Sequence, residues 1–339
     1  MAMYQLQEAI KLALHLAESF EPQLPELAFP PVVEQALEMG ADLAVSTSGG
    51  KDSDYLFRRL VEVHRLKGYE GRIFAIFADL GRIEWIGVHE HLHKLCKELG
   101  VELITVRRPQ GGMVDRWQQR YESILAKDEN KPHWSSSQNR FCTDHLKVQQ
   151  IDKELRKASS KPHWSSSQSR FCTAELKRQQ IDKDLRSSDL VVCAVGIRAQ
   201  ESPNRAKEPV VSVRDKISSS YLNPPSMKEL GLTSKDKELY SRFEEGWTEI
   251  ALAKWLEANK KGRLALTWHP ILHHSIDDVW AGNGTSQTDV DHRSALFKAG
   301  KIREALEGFP CHWAYVSGNS RLSCGMCVLA SKGDISNGA

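Results

Sequence analysis

Apolar and polar positions alternate in two different periods along the first third of the chain, and the two periods predict strands and helices in turn. Short apolar runs, which predict buried strands, occupy residues 41–48, 72–81 and 101–108. Stretches with helical spacing follow the first two runs, and they end at Gly68 and Gly100, which suit helix stops. Such β-α-β units predict a doubly wound, mostly parallel α/β sheet that binds ligands at the carboxyl ends of its strands.

The same patterns divide the whole chain into four predicted segments. These are residues 1–40, a helical N-terminal extension; 41–221, the α/β domain; 222–262, a charged helical insertion; and 263–339, a C-terminal segment that carries three cysteines. Two further strands are expected, one within residues 188–198 and one within 265–272.

A tandem duplication interrupts the α/β pattern. Residues 131–156 recur as residues 161–186, and 21 of the 26 aligned positions are identical. A repeat architecture needs about three or more copies to bury a continuous core, and this chain has two. We therefore expect one copy to form part of the α/β fold and the other to form a surface excursion or a lid.

Composition and charge narrow the classes of function. The 339 residues are 40% apolar and 27% charged, and no apolar run approaches the roughly 20 residues that span a bilayer. The N-terminus lacks the pattern of a secretion signal, so a soluble, cytoplasmic protein without a membrane partner is expected. A net charge of +2 predicts no strong general attraction to nucleic acid, which would need a local basic patch.

A glycine pair marks the point where the first predicted strand meets its helix, in the stretch SGGKDS at residues 48–53. Glycines at such a turn let backbone N–H groups approach an anion, and the start of the helix adds its positive end. Lys51 adds a positive charge beside this turn. The stretch predicts a phosphate site, and a tight turn with a solvated lysine is the alternative.

Further segments carry a resemblance to a known family. They are SGGKDS (48–53), FADLG (77–81), RFCTAELK (170–177), GIRAQESPNRA (196–206), HPILHHSIDDVW (269–280) and HWAYVSGNSRLSCGMC (312–327). In this order they resemble the motifs of the phosphoadenosine phosphosulfate (PAPS) reductase family, within the PP-loop or adenine nucleotide α-hydrolase-like superfamily. The resemblance covers residues 41–334. Within the superfamily, the chain is similar to the iron-sulfur enzymes of DNA phosphorothioation.

The resemblance implies a binding site for ATP or another adenine nucleotide, accompanied by Mg²⁺. The residues that it places at the nucleotide are Ser48, Gly49, Gly50, Lys51, Asp52, Ser53, Asp79, Gly81 and Arg198. Asp79 and Gly81 are expected to line the adenosine pocket, and Arg198 offers a forked contact to phosphate. Lys51, Asp52, Lys177 and Arg198 are the expected catalytic residues. For Asp79 and Arg198, a structural ion pair is the alternative.

Cysteines supply the second candidate chemistry. The seven are Cys96, Cys142, Cys172, Cys193, Cys311, Cys324 and Cys327. An odd number in a reducing compartment argues against a disulfide framework and favours metal binding or redox chemistry. Four thiolates suit a 4Fe-4S cluster or a structural zinc, and the resemblance to sulfur-transfer enzymes favours iron. A dithiol without metal is a further alternative, and Cys96 and Cys193 are expected to be packed thiols.

The duplication leaves two cysteines for the mid-chain ligand. The proposed metal ligands are Cys172, Cys311, Cys324 and Cys327. Cys172 is preferred to Cys142 because its connection to the strand that carries Arg198 is shorter. If Cys142 were the ligand, Lys147 would replace Lys177.

Two enzymatic functions and one non-catalytic function fit these motifs. The first is an ATP pyrophosphatase that activates an acceptor, such as a nucleic acid, for sulfur transfer from a donor such as a cysteine desulfurase. The second is a reductase that releases sulfite from an adenylyl sulfate. The chain lacks the Glu-Cys-Gly-Leu-His motif of assimilatory reductases and has Phe-Cys-Thr where cluster-bearing reductases have a cysteine pair. The third is a nucleotide-binding protein without catalysis.

Overall fold

The structure is a computed structural model of the chain. It describes residues 24–126, 177–186, 188–322, 331, 333–334 and 336. The expected helix near the N-terminus and most of the duplicated segment lie outside these residues.

One six-stranded sheet forms the centre of the described structure. Its strands are β1 (Asp42–Thr47), β2 (Ile73–Asp79), β3 (Glu102–Arg107), β4 (Leu190–Val195), β5 (Val211–Val213) and β6 (Leu264–Trp268). The spatial order is β3-β2-β1-β4-β6-β5, and only the β5–β6 pair is antiparallel. The predicted mostly parallel α/β sheet is confirmed. Strand β5 was not predicted, because three residues are too short for a recognisable alternation.

Helices cover both faces of this sheet. They are α1 (Pro31–Glu38), α2 (Lys51–Lys67), α3 (Val88–Leu99), α4 (Met113–Leu125), α5 (Gln179–Leu185), α6 (Lys237–Glu257), α7 (Ile276–Gly282), α8 (Gln287–Lys298) and α9 (Ile302–Leu306). None of the helices in the described part of the chain combines the length and the apolar character that a membrane span requires.

A glycine flanks each end of α2, the helix that follows β1. Gly50 is the residue before the helix and is extended, with φ −88° and ψ 152°. Gly68 ends the helix in the left-handed conformation at φ 65°, where a side chain would be strained. Gly100 ends α3 in the same way at φ 61°. Both predicted helix stops are confirmed.

The larger core lies between one sheet face and helices α1, α2 and α6. Buried side chains of these helices, such as Leu37, Phe57 and Trp255, pack there with strand residues such as Leu43. On the opposite face, Ile181 and Leu185 of α5 pack against the sheet. Because α5 belongs to the second repeat copy, the described end of that copy contributes to the core.

Helix α6 lies in the region predicted as an insertion. Its residues Ala251, Leu252 and Trp255 are buried in the larger core, and the Trp255 indole N–H donates to the Gly262 carbonyl. The four predicted segment boundaries stay a prediction, but α6 packs directly on the sheet.

The strand order reverses between β1 and β4. The chain leaves β1 toward β2 and β3 on one side, whereas β4, β6 and β5 extend the sheet on the other. In open α/β sheets, ligands bind outside the carboxyl ends of the strands at such a reversal. Residues 48–51 follow β1 and residues 196–198 follow β4, so both predicted phosphate-binding segments meet there.

A half-buried carboxyl group on α6 predicts a pH-dependent stability. Burial, together with the charges of Glu208 and Asp215, raises the pKa of Glu244 to about 7 from an ordinary value of 4.5. Between these values the folded protein holds a proton that the unfolded chain has lost, so stability falls as the pH rises through this interval. We expect Glu244→Gln to raise the unfolding temperature at pH 8 and leave it nearly unchanged at pH 4.5. An equal gain at both pH values would contradict this explanation, and Glu238→Gln, on the exposed side of α6, is the control.

Candidate functional site

The backbone of the turn at residues 48–51 packs closely against its neighbours because two of its residues are glycines. Gly49 has φ 72°, and a Cβ added there would lie 3.0 Å from a methyl carbon of Val88. The Ser53 hydroxyl donates to the Gly50 carbonyl at 2.8 Å and accepts from the Ser48 N–H at 3.2 Å. These bonds hold the glycine pair against the first turn of α2, where the first backbone N–H groups have no partners within the helix.

Lys51 is the first residue of α2, and it is 3% exposed. Its ammonium lies 5.4 Å from the ring centroid of Trp280 and 5.1 Å from that of Tyr315. The Nζ atom donates to the Ser320 carbonyl at 3.1 Å. The Lys51 backbone N–H donates to the Tyr315 hydroxyl at 2.9 Å. The alternative of a solvated lysine is excluded, because two aromatic rings, the Ser320 carbonyl and the Asp52 carboxylate surround this cation.

Asp52 joins two buried cations. Its Oδ1 lies 2.5 Å from Nε of Arg198, and its Oδ2 lies 3.4 Å from Nζ of Lys51. Arg198 is 5% exposed, and a second nitrogen donates to the Gln200 side chain at 3.3 Å. Gly196 permits this approach, since a Cβ there would lie 3.0 Å from the Asp52 carbonyl oxygen. Three of the four expected catalytic residues therefore form one group with a net charge of +1.

A cavity of about 540 Å³ opens beside this group. Lys51, Arg198, Gln200 and Glu201 line one side, and residues of α7, α8 and the stretch 315–321 line the rest. The cavity extends toward the β4 side of the sheet, since neither Asp79 nor Gly81 lines it. Its size is within the usual range of small-molecule sites.

Asp79 and Gly81 lie on the opposite side, at the end of β2. Asp79 is 3% exposed, and its Oδ1 accepts the Gly81 N–H at 2.7 Å. Its Oδ2 accepts two nitrogens of Arg107 and lies 3.6 Å from Nε2 of His89. The structural ion pair considered for Asp79 is thus present. The role of Asp79 and Gly81 in an adenosine pocket stays a prediction.

The charge of Lys177 acts on Glu84, in the loop after β2. Burial raises the pKa of the Glu84 carboxyl, and the positive charge of Lys177 only partly offsets that effect. The Leu80 N–H donates to the same carboxylate at 3.2 Å. The expected catalytic role of Lys177 stays a prediction.

Cys311 is the one proposed metal ligand within the described residues. It is 5% exposed and packs with Trp280, Val290 and Tyr315. Burial raises the pKa of its thiol far above the ordinary range, and the positive charge of Lys51 partly offsets this. The described residues contain no group of three or more metal-binding side chains. Cys142, Cys172, Cys324 and Cys327 lie outside them, so the ligand set and the choice between repeat copies stay predictions.

The two remaining cysteines behave as expected. Cys96 in α3 and Cys193 in β4 are both buried among apolar side chains. Burial raises the pKa of the Cys96 thiol to about 11. Such thiols are protonated near neutral pH, so the prediction of packed thiols is confirmed.

Sequence reasoning missed a buried acid and two histidines next to the turn. Nε2 of His91 lies 2.6 Å from Oδ2 of Asp54, whose other oxygen has no partner among the described residues. Burial lowers the pKa of His312 to about 4. Its neutral ring accepts the Ala314 N–H and donates to the Ile86 carbonyl. Asp54 directly follows the SGGKDS stretch, but no sequence signal relates it to His91.

Four further contact residues of Lys51 were missed as well. They are Trp280, Asn283, Tyr315 and Ser320. Asn283 donates to the Lys51 carbonyl at 2.9 Å. Trp280, Tyr315 and Ser320 lie in segments that carried the family resemblance, so the motifs marked the correct stretches without distinguishing these residues.

Comparison with known proteins now identifies the class. Residues 42–300, more than half of the chain, match the family model described as phosphoadenosine phosphosulfate reductase domain. The chain therefore belongs to this nucleotide-binding family and is an enzyme of the PP-loop superfamily. No individual curated protein matches the chain. The family match includes Lys51, Asp79 and Arg198, and it ends before Cys311 and Tyr315.

Proposed function

We propose that the protein is an ATP pyrophosphatase that activates an acceptor oxygen for replacement by sulfur. The observation that carries this proposal is the buried pair of cations, Lys51 and Arg198, on either side of Asp52 at the start of α2. Two cations and a helix N-terminus at one point suit the triphosphate of ATP, whose charge grows at the leaving group during reaction. An uncompensated buried pair would be costly, and Asp52 compensates it without the nucleotide.

The proposed reaction proceeds in two steps. An oxygen of the acceptor attacks the α-phosphorus, the bond from that phosphorus to the β-phosphate oxygen breaks, and pyrophosphate leaves. A sulfur nucleophile at the oxidation level of sulfide then attacks the activated acceptor atom and expels AMP. Lys51 and Arg198 stabilise the negative charge on the phosphates in the first step. Asp52 orients both cations through its two carboxylate oxygens.

A 4Fe-4S cluster is part of the proposal, and its ligands would be Cys172, Cys311, Cys324 and Cys327. Cys311 is the one proposed ligand within the described residues. Its thiol is buried among apolar side chains, so the metal ion would have to hold it as thiolate against that burial. Four thiolates complete such a cluster, which supplies sulfur or electron chemistry when bound. Iron and acid-labile sulfide in the wild type, Cys142→Ser and Cys172→Ser would identify the metal and the repeat copy that binds it.

The partners are also proposed. Mg²⁺ would accompany ATP, a cysteine desulfurase is a suitable class of sulfur donor, and a nucleic acid is a suitable acceptor. The net charge of +2 gives no general attraction to nucleic acid. A basic partner protein or a local patch would then bring the acceptor to the cavity.

The direct test is product analysis with the purified, anoxic protein. Incubation with ATP, Mg²⁺ and candidate acceptors is expected to release pyrophosphate and AMP in equal amounts once sulfide is supplied. Incubation with PAPS and a dithiol is expected to release no sulfite. Sulfite release without any pyrophosphate from ATP would replace the proposed function by the reductase function.

A further inference from the structure

We propose that residues 315–322, named here the covering segment, close the phosphate-binding turn until the nucleotide displaces them. The inference rests on the proposed phosphate-binding role of Lys51 and adds regulation to that site. The covering segment lies beyond the part of the chain that matches the family.

Two oxygens of the covering segment use the donors that a phosphate needs. The Tyr315 hydroxyl accepts the Lys51 N–H at 2.9 Å, and the Ser320 carbonyl accepts from Lys51 Nζ at 3.1 Å. An amide N–H and an ammonium at a helix start are the usual donors to phosphate oxygens. The Lys51 backbone N–H has one proton, so a phosphate can accept it only if Tyr315 releases it. The ammonium has three protons, and one of them is directed at the Ser320 carbonyl instead of at a ligand.

The segment also covers the glycine pair sterically. A Cβ built on Gly50 would lie 3.3 Å from the Tyr315 hydroxyl and 3.5 Å from a carbon of Leu322. A Cβ built on Gly49 would lie 3.5 Å from another carbon of Leu322. The backbone that would receive a phosphate is thus in contact with the covering segment at both glycines.

One residue of the segment opposes this closed arrangement. Asn319 is 5% exposed, yet neither its amide nitrogen nor its amide oxygen has a hydrogen-bond partner among the described residues. No other buried side chain in the described part of the chain has two such atoms. A buried amide without partners is unfavourable, whereas displacement of the segment would expose it to water or ligand. Asn319 therefore favours opening, and Tyr315 and Ser320 favour closure.

Two substitutions should change the affinity for ATP in opposite directions. Tyr315→Phe keeps the ring and removes a bond that exists only in the closed state, so ATP should bind about fivefold more tightly. Asn319→Leu keeps the approximate shape and removes a cost of the closed state, so ATP should bind about tenfold more weakly. The unfolding temperature without nucleotide should fall for Tyr315→Phe and rise for Asn319→Leu. Asn319→Ala should change the ATP affinity in the same direction as Asn319→Leu if leucine does not fit.

Asn283 provides the matched control for the asparagine substitution. It is also 5% exposed, but its amide donates to the carbonyls of Lys51 and Val279 at 2.9 Å each. Asn283→Leu should therefore lower the unfolding temperature, in contrast to Asn319→Leu. A lower unfolding temperature for both variants would overturn the role assigned to Asn319.

The experiment is calorimetric titration of each full-length variant with ATP and Mg²⁺ in the absence of acceptor. Equal affinities for wild type, Tyr315→Phe and Asn319→Leu, including no binding by any of them, would overturn the inference. Pyrophosphate release is measured separately. Opposite affinity changes without any pyrophosphate release would keep the covering segment and reject the proposed reaction.

Discussion

Replacing Lys51 with methionine is expected to lower ATP-dependent pyrophosphate release by roughly 100- to 1,000-fold, the usual effect of removing one donor to a charge that develops in the transition state. Methionine retains the apolar stem between Trp280 and Tyr315, where the lysine ammonium lies over both rings. The change therefore removes the charge and leaves most of the packing. Pyrophosphate is measured with a coupled assay at saturating ATP.

Lys67 supplies the control, since it lies at the other end of α2. Its ammonium pairs with Glu34 at 2.8 Å, and its side chain is 54% exposed. Lys67→Met should retain the pyrophosphate release of the wild type. An unchanged rate in Lys51→Met, with an intact fold by circular dichroism, would refute the role of Lys51.

Gly282→Ala is expected to destabilise the fold by about 3 kcal/mol, at the upper end of the usual cost of overpacking. A Cβ at Gly282 would lie 2.1 Å from a ring carbon of Tyr55. The ring cannot move away easily, because Tyr55 is fully buried and its hydroxyl bonds to Nδ1 of His274 at 3.0 Å. Urea unfolding followed by circular dichroism measures the free energy.

This substitution should also affect the site. Gly282 precedes Asn283, whose amide holds the Lys51 carbonyl, so a shift of α7 away from α2 would loosen the phosphate-binding turn. Gly246→Ala is the control, because Gly246 lies on the exposed side of α6 with no atom within 4 Å of an added Cβ. That variant should gain up to about 1 kcal/mol from helix propensity. Destabilisation by both alanines would show that the Tyr55 contact is not the cause.

Much of the fold could be predicted because its signals are local. The apolar runs predicted β1, β2, β3, β4 and β6, and glycines predicted the ends of α2 and α3. Strand β5 escaped, since its three residues form a strand only through pairing with β6. The contribution of α6 to the main core also depends on the apolar surface that it meets.

Some features of the candidate site could likewise be predicted from local sequence, and others could not. The SGGKDS stretch predicted the turn, because glycine geometry and a helix start are properties of neighbouring residues. Arg198 lies with Lys51 and Asp52 because the end of β4 adjoins the end of β1 in a doubly wound sheet, and its role at the nucleotide stays a prediction. The role of Lys177 stays a prediction, because its position depends on how the end of the second repeat copy packs against β2 and β3.

The sequence by itself determined the class of fold, the glycine turn after β1, the pair of cations and the membership of a nucleotide-binding family. Only the tertiary structure decided which oxygens hold Lys51, which amide of the covering segment lacks a partner, and where the cavity lies. The physical reason is sequence distance. Backbone conformation is encoded by adjacent residues, whereas the contact between Lys51 and Tyr315 joins atoms 264 positions apart and forms only when the complete core brings α2 and the covering segment together.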